Sequence, residues 1–172
     1  MHWESILDIR YTREMKIHPK THIGHVHLHV GDLERSLKFY RDILGFQIQA
    51  RYGDSAVFLS AGDYHHHIGL NTWQGKDAMP APKGYAGLYH FAILFPTRKE
   101  LAKALKSLID EKYPITGMAD HGVSEAIYLD DPDGNGVELY ADRSKRSWKK
   151  NSDGTVVMGT KPLDVKNLMA QL

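Results

Sequence analysis

The stretch HVHLHVGDLERSLKFYRDILGF, residues 25–46, changes its hydrophobic period midway, and that change decides the fold. At first it alternates, with His25, His27 and His29 on one face and Val26, Leu28 and Val30 on the other. That is the two-residue period of a half-buried strand. Gly31 turns the chain, Asp32 stands where a helix cap belongs, and Leu33, Leu37, Tyr40 and Leu44 then recur every three or four residues until Gly45 ends the helix. Strand-like segments follow at Gln47–Tyr52, Ala56–Ser60 and residues 66–73, separated by Gly or Asp turns. The unit reads βαβββ.

The same order returns 65 residues later (90 − 25). Residues 90–95 form a short strand. Thr97 and Glu100 make a T-x-x-E capping box, and Leu101, Ala104, Leu105 and Leu108 give a second helix its apolar stripe. Pro114 stops that helix, and strands fit residues 115–119, 125–129 and 136–140. A duplicated unit that cannot bury its own sheet face needs its twin to complete a core. The expectation is therefore an α+β fold of two tandem βαβββ modules, residues 22–74 and 88–142, forming one cupped mixed sheet around a shared cavity. Residues 75–87, rich in Gly, Pro and Ala, read as the linker. Residues 1–21 read as an N-terminal extension, and residues 143–172 as a C-terminal tail that packs on the domain or on a second subunit.

Composition narrows the function. The 172 residues, 42% hydrophobic, suit one compact domain. Lys and Arg number 22 against 21 Asp and Glu, a balance that offers no general attraction for nucleic acid or an anionic membrane. There is no cysteine, which excludes disulfides, thiolate metal sites and a cysteine nucleophile. With no signal-like or membrane-spanning run, the expected location is the cytoplasm. The anomaly is histidine, 11 in all, with seven crowded into His22, His25, His27, His29 and the run from His65 to His67.

Three residues stand out as metal ligands. His25 and His90 open the first strands of the two modules, and Glu138 lies on the last strand between Val137 and Leu139. A carboxylate there is costly to bury unpaired. Two imidazoles and one carboxylate on a rigid scaffold suit Fe(II), and Mn(II) accepts the same set, because three ligands on one side leave positions for substrate and dioxygen. Parity turns all three away from the apolar helix side.

These residues resemble the vicinal oxygen chelate superfamily, which includes glyoxalase I, fosfomycin-resistance proteins and extradiol catechol dioxygenases. Residues 25–46 look like the opening of its module, and the likeness spans roughly residues 23–143. In the second module His121, Ile127, Tyr128, Asp131, Pro132, Asp133, Gly134 and Glu138 follow the extradiol dioxygenase signature. Ala119 departs from it, at a position without side-chain chemistry. The resemblance implies Fe(II) on His25, His90 and Glu138, with His121 and Tyr128 bonding substrate and oxygen, and His66 as the acid/base. His66 is also favoured by parity if Phe58 is set against Tyr128 and Ile68 against Glu138, each 70 apart, so that residues 66, 68 and 70 face the cavity. Ile68 would then stand where glyoxalase I relatives carry a fourth ligand, which isoleucine cannot be.

The expected activity is opening of a catechol-type ring beside its diol with O2, by a homodimer. Two rivals stay open. One is a glyoxalase-like or thiol-transferase metalloenzyme using Ni, Zn or Mn. The other is a non-catalytic module that binds an aromatic ligand, for which Tyr52, Phe58, Trp73 and Tyr128 would supply planar contacts.

Overall fold

A computed structural model describes residues 16–82 and 84–172 of the chain, so residues 1–15 of the expected extension lie outside the described residues. In the first module β1 is Val26–His29, α1 is Leu33–Leu37, β2 is Gln47–Tyr52, β3 is Ala56–Ser60 and β4 is Ile68–Asn71. The second has β5 Phe91–Leu94, α2 Arg98–Asp110, β6 Gly117–Asp120, β7 Ser124–Asp130 and β8 Gly136–Asp142. The βαβββ order expected twice is present twice. Its strands form two mixed sheets, β1-β4-β3-β2 and β5-β8-β7-β6, the second extended beyond β6 by a short strand β9, Lys161–Pro162.

Local chemistry sets the helix ends. Asp32 accepts from the Glu34 and Arg35 backbone N–H groups at 2.8 and 3.1 Å. The first helix then widens into a π-helical run, Lys38–Ile43, and stops at Gly45, whose φ of 86° is the left-handed conformation of a helix C-terminus. Thr97 Oγ1 caps α2 by accepting from the Glu100 N–H at 3.2 Å. That helix ends at Asp110, ahead of Pro114, through Lys112 at φ 52°.

One core serves both modules. Leu28, Leu37, Tyr40, Leu59 and Leu70 of the first join Leu101, Leu105, Leu108, Ile127 and Leu139 of the second in a single buried cluster. The polar joint between modules is equally specific. The Asp133 carboxylate takes the Gly31 N–H at 2.9 Å, the Arg35 guanidinium and the Ser36 hydroxyl, while Tyr40 donates to Asp131 Oδ2 at 2.7 Å.

The C-terminal tail packs on the domain, one of the two alternatives its sequence leaves open. Lys161–Pro162 forms β9 beside β6, and Val165–Met169 forms α3 with Leu168 fully buried. Arg98 links the tail to the sheet by donating to Asn167 at 2.8 Å while gripping the buried Glu125 carboxylate at 2.6 Å.

Strand register corrects one expectation. In the first module Gly69 pairs with His27 and Phe58, and in the second Glu138 pairs with Ala92 and Tyr128. Gly69, not Ile68, is therefore the counterpart of Glu138, 69 residues apart (138 − 69). Ile68 lies in the core at 2% exposure, because it pairs with Val26 and Leu59. The 70-residue offset that aligns Phe58 with Tyr128 does not carry across the following turn.

Candidate metal and oxygen-chemistry site

The second module gathers four of the expected residues into one chain of polar contacts. His90 immediately precedes β5, and its Nε2 lies 2.9 Å from Glu138 Oε2 on the neighbouring β8. The Tyr128 hydroxyl, opposite Glu138 on β7, lies 3.2 Å from Glu138 Oε1. His121, in the turn between β6 and β7, sets its Nε2 2.7 Å from the same phenol oxygen. Gly136 makes this geometry possible, because a Cβ there would collide with the Tyr89 carbonyl and press on the His90 backbone. Burial, with the Glu138 charge second, pushes the Tyr128 phenol up to about 12.

The first module gathers the histidines. The His66 ring centroid lies 4.3 Å from that of His25 and 5.0 Å from that of Phe58, and its Nδ1 is 2.7 Å from His65 Nδ1. His66 thus shares the side of His25 and Phe58, although Ile68, used to argue its parity, is turned into the core. Burial lowers the His66 pKa from its ordinary value, helped by His25 and the other imidazoles around it. A neutral imidazole is the form that can accept a proton. His67 is occupied otherwise, with Nδ1 2.8 Å from Ser60 Oγ.

His27 takes the room that Gly69 leaves. A Cβ on residue 69 would come within 2.8 Å of the His27 ring, which instead lies 5.7 Å from Phe58 and 5.4 Å from Trp73. The place equivalent to Glu138 is thus filled by a neighbour's imidazole. Sequence reasoning missed both this and the contact of His121 with Gly159 of the tail, whose carbonyl oxygen lies 2.8 Å from His121 Nδ1. No residue pattern marks either.

The donor set suits a hard-to-borderline divalent ion. Two donors bound side by side at about 2.1 Å from one ion stand about 3 Å apart, and the His90 and Glu138 atoms are 2.9 Å apart. His25 immediately precedes β1, a strand of the other sheet. Among the described residues, no three His, Cys, Asp or Glu side chains converge closely enough within one chain to hold an ion.

The fold and these residues define a class that sequence comparison also finds. The profile of the glyoxalase/bleomycin resistance protein/dioxygenase superfamily matches residues 22–139. The chain belongs to that superfamily. It is 43% identical over 156 residues to a catechol-2,3-dioxygenase of Bacillus subtilis, an alignment covering 90% of this chain and 53% of that protein. To a biphenyl-2,3-diol 1,2-dioxygenase of Rhodococcus globerulus it is 31% identical, over 70% of this chain and 63% of the other. It therefore spans little more than half the length of these two dioxygenases. A lactoylglutathione lyase of Haemophilus influenzae is 29% identical, over 73% of this chain and 96% of the lyase. A glyoxalase/dioxygenase structure from Nostoc punctiforme superposes with a TM-score of 0.62 at 19% identity, covering 77% of this chain and all of the other, a likeness of fold. No helix among the described residues is long and apolar enough to cross a membrane.

Proposed function

We propose that this chain is an extradiol ring-cleaving dioxygenase acting on a catechol-type substrate with O2, using Fe(II), or Mn(II) in its place, on His25, His90 and Glu138. The observation that carries it is the chain of contacts from His90 through Glu138 and Tyr128 to His121. It sets a carboxylate and an imidazole at ligand spacing beside two groups that can bond oxygen atoms. When bound, the metal would orient the diol and O2 and pass electrons between them.

The residues divide the remaining work. His66, neutral at ordinary pH, accepts a proton from the diol and later returns it. Tyr128 keeps its phenol proton through the neutral range and so serves as a hydrogen-bond donor to developing oxyanions. His121 steadies the Tyr128 hydroxyl. Phe58 and Trp73 offer planar contacts to an aromatic ring.

A homodimer belongs to the same proposal. His25 of one copy meeting His90 and Glu138 of the other reconciles a three-ligand set with a chain that does not bring the three together by itself. Mixing His25→Ala with Glu138→Gln chains should restore metal binding at one of the two sites of each mixed dimer if copies share them, and at none if each chain is self-sufficient.

A second candidate, a glyoxalase-like metalloenzyme, is favoured by the near-complete coverage of the lactoylglutathione lyase. Against it, the register sets Gly69, which carries no donor, at the place where the resemblance implies a fourth ligand. The deciding experiment is anaerobic reconstitution with Fe(II) followed by a catechol and air. Oxygen uptake with a yellow ring-opened product is the expected result. Turnover of a thiol adduct without oxygen uptake would replace the dioxygenase by the glyoxalase type.

A further inference from the structure

His121 is held from two sides. Its Nε2 is 2.7 Å from the Tyr128 hydroxyl, and its Nδ1 is 2.8 Å from the carbonyl oxygen of Gly159, 38 residues further along, in the tail that lies outside the βαβββ repeat. The Gly159 N–H returns a bond to the His121 carbonyl at 3.1 Å, so the two residues grip each other through backbone and ring. The tail that carries Gly159 is firmly seated. Lys161 and Pro162 pair with Asp120 and Ala119, Leu163 and Leu168 are buried, and Asn167 accepts from Arg98.

A carbonyl oxygen can only accept, and a neutral imidazole has one ring proton to give. The partner of one ring nitrogen therefore decides the state of the other. We infer that Gly159 is a positioning residue whose carbonyl fixes His121 as the Nδ1–H tautomer and turns a bare Nε2 toward Tyr128. This assignment deepens the proposed role of His121 and rests on that reading for its catalytic meaning.

The consequence reaches Glu138. The Tyr128 hydroxyl has one proton and two acceptors within reach, His121 Nε2 at 2.7 Å and Glu138 Oε1 at 3.2 Å. With Nε2 bare, the shorter bond takes the proton and Glu138 Oε1 stays free to bind. With the opposite tautomer, Nε2–H would donate to the phenol oxygen and send the phenol proton to Glu138. The tail would then govern how available that carboxylate is to a metal ion.

Long-range 15N–1H correlation of the imidazoles reads the tautomer directly, on the full chain, without substrate or metal. Gly159→Pro deletes the N–H that holds the pair together. Gly159→Ala retains it, since a Cβ there meets nothing within 4 Å. The Nδ1–H tautomer is expected for His121 in the unmodified chain and in Gly159→Ala. In Gly159→Pro it should become a mixture, with Mn(II) bound about ten-fold more weakly, as is usual when a ligand's supporting partner is lost. An Nε2–H tautomer in the unmodified chain, or an unchanged Nδ1–H tautomer in Gly159→Pro, overturns the inference. If the loaded protein is inert toward a catechol, the dioxygenase reading fails while the tautomer still decides the role of Gly159.

Discussion

Tyr40 donates its phenol proton to Asp131 Oδ2 across 2.7 Å, joining the helical run of the first module to the turn that precedes β8 in the second. Both partners are buried, with Tyr40 at 0% and Asp131 at 4% exposure. Asp131 also holds its own turn, taking the Asp133 and Asn135 N–H groups at 2.9 and 2.8 Å. Removing the phenol therefore loosens the joint without breaking the turn.

Tyr40→Phe should destabilise the chain by about 1–3 kcal/mol, the usual cost of leaving a buried polar partner short of a bond. Urea unfolding measures it. A midpoint equal to that of the unmodified chain would show that the joint contributes nothing.

Alkali should act on the same region. Burial, reinforced by the Asp131 charge, raises Tyr40 well above the ordinary phenol value and Tyr113 to about 12. Unfolded phenols titrate near 10, so the stability these groups contribute is complete below about pH 10 and is lost as pH climbs toward the folded values. The urea midpoint should fall through that window. It should fall less in Tyr40→Phe, and an equal fall in both proteins would remove Tyr40 as the cause.

Gly69→Ala should displace the His27 ring, which a new Cβ would approach within 2.8 Å. Overpacking of this kind costs about 1–3 kcal/mol. Pairing it with His27→Ala should recover most of the loss, and a double-mutant cycle tests this. Strictly additive effects would mean that the ring and residue 69 do not compete for space.

His66→Phe should keep metal bound and slow turnover about 100-fold, within the range expected for loss of an acid/base group. Metal content and oxygen uptake, measured on one sample, separate the two effects. Loss of metal together with turnover would make His66 a ligand or its support.

Arg98→Met should cost about 1.5–3 kcal/mol, the value of hydrogen bonds to a charged group. Glu125, 2% exposed, keeps Arg143 at 2.7 Å and so is not left bare. Hydrogen exchange should also quicken in α3, which loses the Arg98 bond to Asn167. Protection unchanged in α3 would show the tail to be held by its apolar contacts alone.

Much of the site is legible in the residues because strand alternation is a local property. His25, Phe58, Tyr128 and Glu138 lie on the side away from the core, and for Phe58, Tyr128 and Glu138 apolar neighbours on either side fix that face. His66 lies beside His25 and Phe58 although the strand parity used to favour it fails. It lies outside the regular strand, where alternation no longer applies, and its place beside His25 and Phe58 comes from the packing of three rings. Asp131 and Asp133 belong to the signature that points to oxygen chemistry, yet their carboxylates tie the modules together. A motif does not say which of its members touch substrate and which hold the frame.

By itself the sequence determined the two βαβββ modules, their caps and strand faces, and the types of residue available to bind a metal, because hydrophobic period and turn chemistry act over a few neighbouring positions. Only the tertiary structure decided that Gly69 is the counterpart of Glu138, that the tail returns to hold His121, and that His90 and Glu138 meet while His25 stands just before a strand of the other sheet. Register across a turn and contact between distant segments depend on how the finished core packs, which no short stretch of chain contains.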